Sequence, residues 1–286
     1  MKKLQKGRGH LTNTDTKYYI NCSSSVVSKI TSKELIAIND RDVTIIKAVL
    51  DSYQHFQNKH IVVKLGLSHQ TVKKEYDIGV KLKNIPGYIK YICLFECLDS
   101  THKTTDICTD KDPNKHVIIA PYIKNGSVRE TNWKNYNKLK SILKQCVLSL
   151  LYAYNQFGFV HNDLHLDNIL FCNTTKTNID FKEHSIVSHG VKTVLIDFDM
   201  SFIGLKTDDH GSMLLFWRNL ENFFVRLQTD FKYITTDMNE LNNYIVNAIR
   251  TIQHPNHSTD LLNIIDRLIF TEKQTYKLVY DPNQRV

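Results

Sequence analysis

Phe159-Val160-His161-Asn162-Asp163-Leu164-His165-Leu166-Asp167-Asn168-Ile169-Leu170-Phe171 contains the chemically distinctive residues of this chain. Apolar residues begin and end the stretch, and polar residues fill its centre. A histidine stands two positions before Asp163, and Asn168 stands five positions after it. The pattern predicts a loop between two apolar segments that carries a carboxylate and a carboxamide. In the alternative interpretation, Asp163 and Asn168 only cap a turn, as Asp and Asn often do.

A second acidic loop follows a short predicted strand. Thr193-Val194-Leu195-Ile196 is a β-branched apolar run, and Asp197-Phe198-Asp199 ends it. Phosphoryl transfer requires a carboxylate beside the attacking hydroxyl, together with amide and carboxylate oxygens on a metal ion that binds the nucleotide phosphates. Asp163, Asn168 and Asp197 supply these groups. Turn capping explains the first loop but leaves the second acidic loop unexplained.

These two loops resemble the catalytic loop and the metal-binding loop of the eukaryotic-type protein kinase superfamily, with Asp199 where most members have glycine. Asp163-Leu164-His165 is similar to haspin-like and large-DNA-virus Ser/Thr protein kinases. It is also similar to small-molecule kinases of the aminoglycoside and choline type. The resemblance implies an α+β, two-lobed protein-kinase-like fold. Its small N-lobe is mainly antiparallel β with one key helix, and its larger C-lobe is mainly helical.

The resemblance also implies domain boundaries. We expect a flexible basic arm at 1–16 and a kinase N-lobe at 17–123 with an insertion at about 31–57. The C-lobe follows at 124–286, with an insertion at about 172–191. Helical spacing of apolar residues predicts a helix over 42–56 within the first insertion. Strands are predicted over 87–98 and 116–120. Further helices are predicted from Leu139 to Gly158, from about Ser212, and near 239–252 and 258–270.

The charge and cysteine content bound the setting of the protein. The formal net charge of the 286-residue chain is +8, which is compatible with nucleic-acid binding, but its lysines are spread out, which favours solvated surface. No apolar run approaches the ~20 residues that span a bilayer, so we expect no membrane insertion. The six cysteines show no Cys-x-x-Cys spacing. We expect Cys93 and Cys97 to be buried thiols, which predicts an intracellular, cytoplasmic protein. A viral origin would place it in the host cytoplasm or the virion.

A strand lysine and a helix glutamate form the predicted phosphate-steadying pair. The strand His60 to Lys64 ends in lysine, and a helix is predicted from Ser68 to about Leu82. Glu75 falls on the apolar face of that helix, where an unpaired carboxylate is costly, so we expect an ion pair with Lys64. The alternative is an exposed glutamate among lysines. Lys47 is the competing strand lysine.

The phosphate-covering loop and the adenine-binding hinge follow from the resemblance. Between strands predicted at 17–20 and 26–30, Ser23, Ser24 and Ser25 stand where glycines are usual, because the backbone must approach the phosphates closely. A plain hairpin turn is equally consistent. The segment Ala120, Pro121, Tyr122 and Ile123 resembles the hinge, with Ala120 at the back of the adenine pocket. An ordinary strand-to-loop transition is the alternative.

The resemblance assigns a role to each residue. Asp163 accepts the hydroxyl proton, and Asn168 and Asp197 bind Mg²⁺ or Mn²⁺ on the phosphates of ATP. Lys64, held by Glu75, steadies the α- and β-phosphates. His165 belongs to the catalytic loop and stands where protein kinases usually have a phosphate-contacting lysine. His161 packs against Phe198 as a structural residue.

The favoured interpretation is an ATP-dependent serine/threonine protein kinase with protein substrates. Asn162 replaces the arginine that grips a phosphorylated activation loop in many kinases, and the segment after Asp197 is short and lacks Ala-Pro-Glu. These departures predict activity without activation-loop phosphorylation. Asp208 or Asp209 would brace the catalytic loop or cap the next helix, as a buried or half-buried carboxylate. A small-molecule kinase and a catalytically inactive binding module remain alternative hypotheses.

Overall fold

The computed structural model describes residues 30–38, 43–53, 56–66, 69–97, 107, 116–131, 135–182 and 184–230. The predicted arm at 1–16, the strand at 17–20, the three serines at 23–25 and the helices near 239–252 and 258–270 lie outside these residues. The chain divides into two compact units, one formed by Met1–Val80 with Lys90–Tyr122 and the other by Lys81–Ile89 with Ile123–Val286. It mixes antiparallel sheet with three α-helices among the described residues.

An antiparallel five-stranded sheet forms the first unit. Its strands are β1 (Ile30–Ile38), β2 (Thr44–Tyr53), β3 (Phe56–Gly66), β4 (Cys93–Glu96) and β5 (His116–Pro121), in the order β1-β2-β3-β5-β4. The hydrophobic core of this unit includes Leu50, Ile61, Val63 and Ile119, whose side chains are almost fully buried. Helix α1 (His69–Leu82) follows β3 and begins where the sequence predicts it.

The helix predicted over 42–56 is wrong, because β2 occupies this segment. Thr44, Ile45 and Ile46 are β-branched, which favours a strand when a neighbouring strand is available. Buried Ala48 and Leu50 alternate with the less buried Val49, as in a pleated strand. Residues 31–57, predicted as an insertion, supply β1, β2 and the beginning of β3.

The strand predicted over 87–98 is shorter than expected, because β4 covers only Cys93–Glu96. Gly87 has a left-handed φ of +91°, which no regular strand accommodates. Residues 87–89 instead bond to the end of another strand: the Leu195 N–H donates to the Gly87 carbonyl and the Ile89 N–H donates to the Leu195 carbonyl.

The second unit contains two long helices and two small antiparallel pairs of strands. Helix α2 is Tyr136–Phe157 and α3 is His210–Asp230. A short 3₁₀ helix, Leu166–Asn168, precedes β6 (Ile169–Asn173), which pairs with β9 (Val191–Leu195). Strands β7 (Asn178–Phe181) and β8 (His184–Val187) form a hairpin. This hairpin lies within the predicted insertion at 172–191.

The end of α2 is fixed by a glycine that tolerates no side chain. Gly158 adopts a left-handed φ of +58°, and its N–H donates to the Tyr154 carbonyl. A Cβ at this position would lie 1.9 Å from the Leu205 carbonyl oxygen. The predicted helix end is confirmed, and the chain enters the polar loop at once.

Buried Gln145 attaches β9 to α2. Its Nε2 donates to the Val191 carbonyl, and its Oε1 accepts from the Thr193 N–H. The Thr193 hydroxyl donates to the Ile142 carbonyl. These bonds satisfy polar groups that would be costly to bury alone, and they hold the strand that leads to Asp197.

Two expectations about single residues are wrong. Cys93 and Cys97 are both disulfide-bonded, so they are not thiols, and they no longer support an intracellular setting. Asp209 is exposed, although we expected a buried or half-buried carboxylate. Its Oδ2 accepts from the Ser212 N–H at 2.8 Å, so it caps α3 in full contact with water.

No helix in the described ranges is long and apolar enough to cross a membrane.

Candidate active site

The polar loop between α2 and β6 is anchored at both ends by backbone hydrogen bonds. Val160 and Phe202 exchange N–H to carbonyl bonds at 3.0 and 2.8 Å. The Ile196 N–H donates to the Asn168 carbonyl at 3.1 Å, which joins this loop to the segment before Asp197. The two acidic loops predicted from the sequence therefore lie side by side.

His161 is the buried support of the loop. Its Nε2 is 3.0 Å from the Ile196 carbonyl oxygen, and its ring meets Phe159 and Phe198 edge-on. Burial lowers the pKa of His161, which keeps the imidazole neutral. A neutral ring donates from Nε2 to the carbonyl and leaves Nδ1 as the buried nitrogen without a hydrogen-bond partner among the described residues. The predicted packing against Phe198 is confirmed.

Asp163 projects from the loop as a partly exposed carboxylate, with 34% of its side chain accessible. Its Oδ1 accepts from Arg226 Nη1 at 3.1 Å. Its Oδ2 is 3.8 Å from His165 Nε2. The preceding Asn162 has a left-handed φ of +61°, and its side chain donates to the Met200 carbonyl at 3.3 Å. The carboxylate is thus held in place while remaining open to a hydroxyl group.

Asn168 is oriented by its amide nitrogen. Nδ2 donates to the Asp163 carbonyl at 2.9 Å and lies 3.0 Å from His165 Nε2. Since both side-chain contacts within the described ranges use Nδ2, the carboxamide oxygen is left for another ligand. His165 Nε2 then acts as an acceptor, and the ring proton sits on Nδ1, which is 3.3 Å from Asp167 Oδ2.

Asp167 links His165 to Arg129 through its carboxylate. Arg129 Nε donates to Asp167 Oδ2 at 2.7 Å. Burial alone would raise the pKa of Asp167, but the hydrogen bond from His165 and the charge of Arg129 lower it on balance. Asp167 therefore stays ionised and fixes both the tautomer and the orientation of His165, which in turn orients Asn168.

Asp197 lies two residues after the end of β9 and has a left-handed φ of +67°, an uncommon backbone conformation for a residue with a side chain. Such backbone is typical of residues that the surrounding structure holds for function. A carboxylate from Asp197 and the carboxamide oxygen of Asn168 are hard ligands that suit Mg²⁺ or Mn²⁺. The described residues contain no group of three His, Cys, Asp or Glu that could hold a metal. This donor set fits a metal ion whose other ligands are phosphate oxygens and water.

The first unit contains the predicted ion pair. Lys64 Nζ on β3 is 2.7 Å from Glu75 Oε2 on α1, and the Glu75 carboxylate is almost fully buried. Glu75 Oε1 accepts from the Tyr91 hydroxyl at 2.8 Å. Both carboxylate oxygens are hydrogen-bonded, which offsets the cost of burying the charge. Val72, Tyr76 and Gly79 share the buried face of the helix, as predicted.

The competing lysine has a different environment. Lys47 on β2 pairs with exposed Glu34 at 2.8 Å, and its ammonium lies 5.2 Å from the centre of the Tyr122 ring. This pair joins two neighbouring strands at the surface, where ion pairs contribute little. Lys64 therefore has a buried partner on a helix, and Lys47 does not.

The segment predicted as the hinge leaves the end of β5. Ala120 is buried, Pro121, Tyr122 and Ile123 are half-buried, and the Tyr122 N–H donates to the His60 carbonyl. Ser23, Ser24 and Ser25 lie outside the described residues. Ile45 on β2 is the register partner of Lys64 on β3.

Three contacts of the site have no counterpart among the sequence predictions. They are made by Tyr91 on Glu75, by Arg129 on Asp167 and by Arg226 on Asp163. Arg226 is 63 positions from Asp163, and no local spacing connects two residues that far apart. Tyr91 lies in the segment between α1 and β4. The sequence indicates its contact in one way only, because an inward-pointing Glu75 needs hydrogen-bond donors for both of its carboxylate oxygens.

Comparison with known proteins identifies a family and two relatives. The sequence model of a family described as "Haspin like kinase domain" matches residues 15–248. An uncharacterized protein of Caenorhabditis elegans is 26% identical over 214 residues, covering 67% of this chain and 72% of that protein. An uncharacterized protein of Invertebrate iridescent virus 6 is 24% identical over 128 residues, covering 42% of this chain and 21% of the viral protein.

Proposed function

The chain belongs to the haspin-like kinase domain family, and we propose that it is an ATP-dependent protein kinase that phosphorylates serine or threonine hydroxyls. The observation that carries the proposal is the junction of the two acidic loops. The Asn168 side chain donates to the Asp163 carbonyl, and the Asn168 carbonyl accepts from Ile196, the residue before Asp197. A proton acceptor and two metal ligands are thereby fixed on one framework.

The two compact units correspond in this proposal to the two lobes of a kinase. The unit with the five-stranded sheet and α1 is the N-lobe, and the unit with α2 and α3 is the C-lobe. Lys64, held by Glu75, steadies the α- and β-phosphates of ATP. Ser23, Ser24 and Ser25 are the residues proposed for the phosphate-covering loop. Ala120 to Ile123 provide backbone groups for adenine.

The residues of the C-lobe position the acceptor and the metal ion. Asp163 orients the acceptor hydroxyl and receives its proton through Oδ2, since Arg226 occupies Oδ1. Asn168 and Asp197 would hold the metal ion, Mg²⁺ or Mn²⁺, which neutralises phosphate charge when bound. His165 keeps the Asn168 carboxamide in its orientation. Catalysis of this kind depends on positioning and charge neutralisation.

We propose that activity does not require phosphorylation of the segment after Asp197. Asn162 stands where many regulated kinases have an arginine, and its amide already bonds to the Met200 carbonyl at 3.3 Å. The Lys64–Glu75 pair is also formed in the unmodified chain. Protein freed of phosphate by phosphatase treatment should therefore transfer phosphate at the same rate as untreated protein.

A transfer assay with a panel of acceptors tests the proposed function. Radiolabelled γ-phosphate of ATP is offered with Mg²⁺ or Mn²⁺ to a general protein substrate, to aminoglycosides and to choline, with and without EDTA. The proposal predicts EDTA-sensitive label on serine or threonine in hydrolysed protein. Label on a small compound alone would identify a small-molecule kinase. ATP binding without transfer to any acceptor would identify a catalytically inactive binding module.

A further inference from the structure

Arg226 is a cation that approaches the acceptor-binding carboxylate from outside its loop. It lies in the last two turns of α3, and its Nη1 is 3.1 Å from Asp163 Oδ1. The Arg226 side chain is 52% exposed. Asp163 is its hydrogen-bond partner among the described residues, and this bond uses one of the five N–H donors of the guanidinium.

His165, the nearest cation candidate within the loop, is already engaged by its neighbours. Its Nε2 faces the Asn168 amide at 3.0 Å, and its Nδ1 faces Asp167 at 3.3 Å. A ring held at both nitrogens has no further N–H to offer to a phosphate group. Arg226 therefore supplies the permanent positive charge beside Asp163, with several donors still open to solvent.

We propose, on the basis of the proposed phosphotransferase function, that Arg226 is a catalytic residue that stabilises the phosphoryl group during its transfer. An acceptor hydroxyl bonded to Asp163 Oδ2 places its oxygen next to the carboxylate that Arg226 contacts. The phosphorus arriving at that oxygen brings three negatively charged oxygens into the same small region. A guanidinium binds such oxygens in a bidentate manner while retaining its charge at any working pH.

The transfer step balances without any additional reagent. The bond between the γ-phosphorus and the bridging oxygen of ATP breaks, and its electron pair leaves with ADP. A new bond forms between phosphorus and the acceptor oxygen, whose proton passes to Asp163 Oδ2 and then to water. Arg226 gains and loses no proton. Its contribution is greatest when charge is spread over the transferring group, which lowers the barrier more than it strengthens substrate binding.

A structural role alone does not account for the position of Arg226. The Arg226 side chain is 52% exposed and that of Asp163 is 34% exposed, and ion pairs in contact with solvent contribute little to stability. The contact also leaves the second carboxylate oxygen of Asp163 available to a hydroxyl. A purely structural contact of α3 does not require pairing with Asp163, the carboxylate that receives the acceptor hydroxyl in the proposed function.

Steady-state kinetics of Arg226→Gln and Arg226→Lys test the proposal, with Arg218→Gln as the matched control. Arg218 is exposed, lies on the same helix and undergoes the same charge change. We expect Arg226→Gln to lower kcat by roughly 100-fold or more, while KM for ATP changes less than about threefold. Arg226→Lys should recover part of that loss, because it restores charge but not the fork of donors. Arg218→Gln should match the wild type, and all variants should melt at similar temperatures.

Several results would overturn the inference. A kcat for Arg226→Gln within about twofold of the wild type would show that the guanidinium does not act on the transition state. A higher kcat would identify the ion pair as a block on Asp163, and a raised KM with unchanged kcat would identify a substrate-binding residue. In these cases the wild type still transfers phosphate, so the proposed function stands. If the wild type transfers nothing, the proposed function fails and the role of Arg226 falls with it.

Discussion

Lys64 Nζ on β3 lies 2.7 Å from Glu75 Oε2 on α1, and the glutamate is buried with only 3% of its side chain accessible. The pair therefore fixes the helix against the sheet through a charge that could not remain there unpaired. The Tyr91 hydroxyl occupies the other carboxylate oxygen at 2.8 Å. Strand, helix and the segment before β4 thus meet at a single buried carboxylate, which keeps the Lys64 ammonium in one position.

Replacing Lys64 with methionine should lower transfer activity by at least about 100-fold, because the α- and β-phosphates lose their fixed cation. Lys47→Met is the matched control, since Lys47 is also a strand lysine paired with a glutamate. We expect Lys47→Met to retain activity within a few-fold of the wild type. Initial rates of γ-phosphate transfer measure both variants. Equal losses in the two variants, or a larger loss in Lys47→Met, would contradict the assignment of Lys64.

Tyr91→Phe should destabilise the protein by about 1–3 kcal/mol, because it removes the donor to Glu75 Oε1 and leaves the ring in place. Urea unfolding at constant pH measures the free energy of unfolding. The same change should raise KM for ATP, since Glu75 holds Lys64 less firmly. Tyr76→Phe, which removes a buried hydroxyl that has no hydrogen-bond partner among the described residues of the same unit, serves as the control. An unfolding free energy equal to that of the wild type would show that the Tyr91 hydrogen bond is dispensable.

Gly79→Ala should destabilise the protein even though alanine favours an isolated helix by ~1 kcal/mol. A Cβ at position 79 would lie 2.3 Å from Cε2 of the buried Tyr91 ring, which is held by its hydroxyl bond to Glu75. Overpacking of this kind costs roughly 1–3 kcal/mol. In a Tyr91→Ala background the same Gly79→Ala change should become neutral or stabilising. A double-mutant cycle of unfolding free energies measures the coupling, and its absence would refute the steric explanation.

The sequence was sufficient for those parts of the site that follow from regular spacing. Asp163 and Asn168 share one loop, and Glu75 falls on the apolar face of a helix directly after the strand of Lys64. The Lys64–Glu75 pair could therefore be predicted and is present. The packing of His161 against Phe198, which the family resemblance implied, is also present. The roles of these residues in catalysis remain proposals.

The parts that could not be predicted depend on contacts across the fold. Residues 44–53 have apolar positions compatible with a helix, and only the pairing with β1 and β3 decides for a strand. Arg226 contacts Asp163 because the fold brings the last turns of α3 close to the loop that carries Asp163. No residue spacing in the sequence predicts this contact. The disulfide bonds of Cys93 and Cys97 depend equally on tertiary proximity and leave no local signal.

His161 should make the stability of the protein fall in mild acid. Burial lowers its pKa in the folded state below the ordinary value of 6.5. As the pH falls, the unfolded chain therefore takes up the proton on His161 before the folded protein does. The contribution of neutral His161 to the free energy of unfolding is complete above pH 6.5 and is lost as the pH falls below that value. Between about pH 7.5 and pH 5.5, wild type should lose more unfolding free energy than His161→Gln, whose amide can still donate to Ile196. Urea unfolding at the two pH values measures this, and parallel losses would contradict it.

We infer that Asp163 serves the acceptor hydroxyl and not the nucleotide. Transfer of radiolabelled γ-phosphate to a general protein substrate should be compared for wild type and Asp163→Asn, with ATP binding in the presence of Mg²⁺ measured on the same samples. We predict that Asp163→Asn binds ATP as tightly as the wild type and loses at least about 100-fold of the transfer rate, since the amide cannot take the hydroxyl proton. Transfer at the wild-type rate by Asp163→Asn would contradict this role of Asp163.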